Sequence, residues 1–145
     1  MTLDDIYEAW SKDSRIDKTD VGGEAISIPK LHHKYHRMLS TERLVLLQRT
    51  QELSRLKLDK YEFLTFGPAK EFPKDWKLPP SGKVTKAEAK TYIDADPDVV
   101  EKSLLVGMQR EKVEVLESIV TSINNRNFLL TNFINWEKLR NGIGG

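Results

Sequence analysis

Leu3, Ile6, Tyr7 and Trp10 recur at the spacing that lines one face of an α-helix. Thr2 precedes them as an N-cap, with Asp5 three residues on, so a short helix is predicted to end near Lys12. The stretch DSRIDKTDVGGEA that follows is turn-rich, and Gly22–Gly23 is its strongest break. Pro29 fits the first turn of a second helix. From there to Gly67 the chain has no Gly or Pro, and Leu31, Tyr35, Met38, Leu39, Leu46, Leu53, Leu56 and Phe63 keep returning at helical intervals. One long helix over residues 28–64 is predicted, its apolar face widened in the centre by Leu44, Val45 and Leu47.

The pattern then breaks. Residues 65–84, TFGPAKEFPKDWKLPPSGKV, hold four of the six prolines and two glycines, so a long loop is expected. Thr85 and Glu88 form a capping-box pair for a short helix, KAEAKTYI. Asp96–Pro97 is the cleanest start signal in the chain: a cap residue, then proline at the first helical position. A helix is expected to run from 97 towards 140, with Asn124–Asn125–Arg126–Asn127 as the point where it kinks or splits. Strand-like alternation and internal repeats are missing, so the fold class is all-α, long helices around a Pro-rich central loop. By segment, residues 1–64 form an N-terminal helix and a long basic helix, 65–95 the loop and short helix, and 96–145 the C-terminal helices.

The C-terminal helices raise a packing problem. Val113, Val115, Leu116, Ile119, Val120 and Ile123 cover an arc of about 160°, counted at about 100° per residue. Phe128, Leu129, Leu130, Phe133, Ile134, Trp136 and Leu139 spread over about 240° by the same count. A helix apolar on most sides needs cover on most sides, and a short chain with few helices is hard pressed to supply it. A helical-bundle subunit of a homo-oligomer is therefore expected, with Ile119, Ile123, Phe128, Phe133 and Trp136 at the subunit interface.

Charge changes the picture for the middle of the chain. The net charge is only +1, but it is unevenly spread. Residues 1–27 hold three Lys/Arg against seven Asp/Glu, a net of −4. Residues 28–64 hold eight against four and 65–95 six against four, nets of +4 and +2, and 96–145 hold six against seven, −1. A basic middle suits an anionic partner, or an acidic neighbour within an oligomer. The chain has no cysteine, which removes disulfides, thiol nucleophiles and Cys-based zinc. No apolar run nears the roughly 20 residues of a membrane span, and the opening MTLDDIYEAW lacks the layout of a signal peptide. A soluble cytoplasmic protein without a membrane partner is the expectation.

Candidate chemistry is sparse. His32 and His36 share a helix face, but no third ligand accompanies them, so no metal is assigned. Asp94, Asp96 and Asp98 alternate as in a calcium loop, yet Pro97 interrupts them and the Gly and terminal Glu of such a loop are missing. A helix cap explains them better. Phosphate-binding glycine loops and nucleophile elbows are absent, so neither an enzyme nor a cofactor is expected. Two basic features remain. Arg43, Arg49, Arg55, Lys57 and Lys60 lie on the long helix, with Arg49 and Lys60 about three turns apart on one face. In the loop, Lys70, Lys74, Lys77 and Lys83 interleave with Phe66, Phe72 and Trp76. Cations that neutralise phosphate beside rings that stack on bases fit single-stranded nucleic acid. A solvated helix face and aromatics folded back on the core fit the same residues.

The chain also carries a resemblance. TLDDIYEAWSKDSRID followed by EA, and YIDADPDVV leading into a long helix, resemble the UvsY recombination mediator family of tailed phages. SIVTSINNRNFLLTNFINWEKLRNGI is similar to the C-terminal region of marine phage members. The resemblance covers nearly the whole chain in several moderate blocks. It implies a non-catalytic accessory protein of homologous recombination in the cytoplasm of the infected bacterial host. Such a protein binds single-stranded DNA, helps displace the phage single-strand binding protein and loads a RecA-like recombinase, UvsX. Members form ring-shaped homo-oligomers, hexamers or heptamers, through the C-terminal region. The family's DNA-contact run, Leu-Lys-Ala-Arg-Leu, falls here on Leu56-Lys57-Leu58-Asp59-Lys60, where Asp59 departs from the pattern and Lys60 stands one residue late. The resemblance points to Lys57 and Lys60; the basic helix patch adds Arg49 and Arg55 as expected DNA contacts, and the loop adds Lys74 and Trp76. The alternative from another class is a structural coiled-coil adaptor that docks a partner without DNA.

Overall fold

Thr2 caps the first helix as its sequence predicts. Its hydroxyl accepts the Asp5 amide at 3.1 Å, and the Asp5 carboxylate accepts the Thr2 amide at 2.7 Å. The computed structural model describes residues 1–142 and holds five helices: α1 (Leu3–Asp13), α2 (Val21–Phe66), α3 (Lys86–Ala95), α4 (Pro97–Asn124) and α5 (Arg126–Arg140). The described residues contain no strand, and the fold is all-α.

The long helix starts at Val21, not at residue 28. The Asp20 carboxylate accepts the Gly23 amide at 3.1 Å, and its carbonyl accepts the Glu24 amide at 3.0 Å. Gly23 is thus part of the first helical turn, where a Cβ would collide with the Asp20 carboxylate. Pro29 consequently lies inside α2, not in its first turn, and it faces solvent. There water can satisfy the carbonyl that lacks a helical partner. At the other end, Gly67 takes φ 94° and its amide reaches the Phe63 carbonyl at 2.9 Å, a left-handed glycine stop. The C-terminal pattern splits at Asn125, within the weak point read from the sequence.

The chain packs as two compact units, Met1–Arg43 with Glu111–Gly145, and Leu44–Arg110. Both α2 and α4 contribute to each, so packing does not follow sequence segments. In the first unit Ile6, Tyr35, Leu39, Val113, Leu116, Ile119, Ile123 and Leu130 are buried, and Trp10 meets Tyr35 edge-on at 5.4 Å. The Arg126 guanidinium, almost fully buried, donates to the carbonyls of Asp13 (3.1 Å), Ser14 (3.4 Å) and Arg15 (3.0 Å). It thereby satisfies carbonyls left open at the end of α1. Asp13 accepts from Lys34 at 2.6 Å and from the Tyr35 hydroxyl at 2.9 Å. Burial works to raise its pKa, but these hydrogen bonds and the nearby charges of Lys34 and Arg126 hold it below its ordinary value. Burial, then the Asp13 contact, pushes the Tyr35 hydroxyl well above its usual range.

In the second unit α2 and α4 run antiparallel, as Lys102 to Glu52 (4.0 Å), Arg49 to the Leu105 carbonyl (3.5 Å) and Lys60 to Asp98 (3.0 Å) show. The core cluster is Phe63, Leu64, Val84, Ala89, Ile93 and Val99. The loop between α2 and α3 is a series of tight turns, such as Trp76 amide to Pro73 carbonyl and Gly82 amide to Pro79 carbonyl. It returns to α2 through the Val84 amide on the Leu64 carbonyl at 3.0 Å.

Candidate nucleic-acid interface

The second half of α2 places its cations on different faces. Arg55 and Lys57 point to solvent; Lys60 does not. The Arg55 side chain is 76% exposed, with only an i, i+4 contact to Asp59 at 3.6 Å. Surface pairs of this kind contribute little, so Arg55 can exchange Asp59 for a phosphate at small cost. Lys57 makes no ion pair among the described residues and is also open. Arg49 is half-buried, its guanidinium drawn towards the Leu105 carbonyl. Lys74 stands exposed in the loop.

Two residues expected to touch DNA pack inwards instead, Lys60 buried and Trp76 partly so. The Lys60 side chain is 7% exposed, and its ammonium lies 3.1 Å from Asp96 and 3.0 Å from Asp98. It also sits 3.9 Å from the centre of the Trp76 ring. A buried ammonium needs counter-charge and hydrogen bonds, and these three groups supply them. Lys60 is therefore not placed to meet phosphate. Trp76 stacks on Phe72 at 5.6 Å and meets Phe63 at a steep angle, also at 5.6 Å. Its ring packs, partly buried, against the core and so is not a free platform for a base. The loop aromatics thus fold back on the core, except Phe66, which ends α2 largely exposed.

The residues that sequence reasoning missed are the counterions of Lys60. One Asp96 oxygen caps α4 by accepting the amides of Asp98 (2.9 Å) and Val99 (3.2 Å), while the other meets Lys60. Alternating Asp ahead of Pro97 was a visible sign of a cap, but nothing local tied it to a lysine in α2. A cleft of about 440 Å³ opens beside this group, lined among others by Lys60, Trp76, Lys77, Tyr92, Asp96 and Asp98. His32 and His36 stack at 5.6 Å, and no metal-binding group of three or more ligands occurs among the described residues.

The proposed subunit-interface residues also divide. Ile119 and Ile123 are buried within the chain's own first unit, so their apolar surface is already used and they are not interface residues. Phe128 and Trp136 are 71% and 57% exposed, Phe133 is half-buried, and Leu129 and Leu139 also face outwards. On α5 only Leu130 among the apolar side chains is fully buried. No helix among the described residues is long and apolar enough to cross a membrane.

Comparison with known proteins gives the chain a family. Residues 9–143 match the model of "Recombination, repair and ssDNA binding protein UvsY". No curated protein sequence matches. Among solved structures, the fold is similar to crystal structures of the bacteriophage T4 recombination mediator protein UvsY. Lattice type IV superposes with a TM-score of 0.81 at 21% identity, covering 96% of this chain and 99% of that one. Lattice type II gives 0.78 at 21% identity, covering 97% and 98%. At that identity the likeness shows the fold. The family match spans most of the sequence, and the chain belongs to the UvsY family of recombination, repair and single-stranded DNA binding proteins.

Proposed function

We propose that this UvsY-family chain is a non-enzymatic recombination mediator acting in the cytoplasm of a phage-infected bacterium. It binds single-stranded DNA covered by the phage single-strand binding protein, loosens that protein and loads a RecA-like recombinase of the UvsX type. The observation that carries this reading is the family match over residues 9–143. Arg55 and Lys57, both exposed on the second half of α2 though on different sides of the helix, support it as phosphate contacts. Half-buried Arg49 and exposed Lys74, in the same unit, are weaker contributors.

One such contact binds weakly, because two cations neutralise few phosphates. Repetition in a ring-shaped homo-oligomer, a hexamer or heptamer, raises effective concentration and makes binding tight without new chemistry. The outward-facing Phe128, Leu129, Trp136 and Leu139 of α5 support self-association. Displacement is then driven by binding energy alone, so the scheme needs neither a nucleotide site nor a cofactor.

The test is binding to labelled oligo(dT) by fluorescence anisotropy at several salt concentrations, with light scattering on the same sample. An oligomer that binds tightly, with affinity falling steeply as salt rises, is expected. Arg55→Ala with Lys57→Ala should weaken binding and reduce the salt slope by about 0.7 for each phosphate no longer neutralised. An oligomer indifferent to DNA would overturn the mediator reading and leave a protein adaptor of the same fold.

A further inference from the structure

We propose that the first unit carries a second phosphate-binding cleft, between the end of α1 and the start of α2, which takes a backbone phosphate of single-stranded DNA. This rests on the DNA-binding reading above and adds a site to it. The cleft has a volume of about 380 Å³, within the roughly 300–1,000 Å³ range of small-molecule sites. Lys12, Arg15, Lys30, Lys34 and Arg126 line it against two carboxylates, Asp13 and Glu24, leaving a net of three positive charges.

Pairing inside the cleft accounts for both carboxylates. Asp13 is held by Lys34 at 2.6 Å, and Glu24 stands 3.7 Å from Arg126 while accepting the Asp17 amide at 3.1 Å. Lys12 has only a solvent-exposed contact with Glu8 at 3.5 Å. Arg15 and Lys30 are exposed, with no acidic partner among the described residues. Arg126 adds an independent observation. It is only 4% exposed, it lines the cleft, and its Nε has no hydrogen-bond partner. A buried guanidinium with an idle donor favours an anion nearby.

The cleft also reverses what the sequence implies for this region. Residues 1–27 carry a net charge of −4, which suggests a surface for basic partners. The fold consumes Asp13 and Glu24 internally and brings Lys30, Lys34 and Arg126 in from α2 and α5. The local surface is thereby cationic. The lining has no aromatic ring, so the chemistry is that of phosphate, not of bases.

The test compares the full chain with Arg15→Ala/Lys30→Ala in oligo(dT) titrations across a salt series. Arg55→Ala/Lys57→Ala runs alongside, and inorganic phosphate and polyglutamate serve as competitors. Arg15 and Lys30 are exposed and hold nothing together, so their removal leaves the fold intact. The cleft variant should bind at least about fivefold more weakly at low salt, with a slope reduced by about 0.7 to 1.4. Wild-type affinity and slope in that variant, alongside a weakened Arg55/Lys57 variant, would overturn the cleft while leaving the DNA-binding function standing. Failure of the unmodified chain to bind oligo(dT) would instead remove the function on which the cleft rests. Loss of phosphate or polyglutamate competition in the cleft variant, with DNA binding unchanged, would assign the cleft to another anion and refute the DNA contact.

Discussion

Lys60→Met separates a structural lysine from a DNA-contact lysine. The substitution keeps most of the side-chain volume and removes the charge. Asp96 and Asp98, at 3.1 and 3.0 Å from the ammonium, then face each other without a counterion. Breaking a fully buried ion pair costs about 3–5 kcal/mol. Here the cost is smaller, because the Asp98 side chain is 56% exposed and rehydrates. Asp96 also keeps the amides of Asp98 and Val99. Removing the Lys60–Trp76 interaction adds about 0.5–1 kcal/mol. A total near 2–3 kcal/mol follows, and at about 3–4 °C per kcal/mol for a chain of this size the melting temperature should fall by about 6–12 °C. Thermal unfolding by circular dichroism reads this, at one fixed protein concentration because assembly shifts apparent stability. Below the transition, affinity for oligo(dT) and its salt slope should match wild type. A melting point within about 1 °C of wild type, together with a salt slope lower by about 0.7, would show that Lys60 contacts phosphate and that the structural argument is wrong.

Asp13→Asn should destabilise the chain by about 1–2 kcal/mol at neutral pH, since charge-assisted hydrogen bonds from Lys34 and Tyr35 are weakened. The folded pKa of Asp13 lies below its ordinary 3.8, so its contribution is present above that value and is lost as pH falls through the folded pKa. Denaturant melts should accordingly show the stability gap between wild type and Asp13→Asn closing below about pH 4, and a gap that persists in stronger acid would contradict the assignment. Trp136→Gln with Leu139→Gln, on the exposed side of α5, should dissociate the oligomer in sedimentation velocity and weaken oligo(dT) binding through reduced avidity. Retention of the full assembly would exclude this face as the interface.

Capping chemistry made the helix starts at Thr2 and Pro97 legible, because a cap and its amides lie within three residues of one another. The same logic misplaced the start of α2, where Gly22–Gly23 reads as a break but Asp20 recruits it as the first turn. Side-chain fates that depend on distant partners were not legible. Lys60 meets Asp98 across 38 residues, and no local pattern distinguishes it from Lys57. Helical arcs reported which residues require cover without saying who supplies it. Ile119 and Ile123 find cover inside the chain, while Phe128 and Trp136 do not.

The inward lysine has a consequence for the outward cations. A buried ion pair adds little net stability over an apolar core, but it penalises every register in which its charges are left alone. Asp96 is fixed by its duty as the cap of α4, so Lys60 fixes the rotation of α2 against that junction within the second unit. At about 100° per residue, Lys57 then lies about 60° to one side of Lys60 and Arg55 about 140° to the other, both exposed. A slip that freed Lys60 for DNA would strand Asp96 and Asp98 and rotate Lys57 out of place. The charge at position 60 therefore matters for the partners it meets inside the fold, Asp96 and Asp98, and not for a contact outside it.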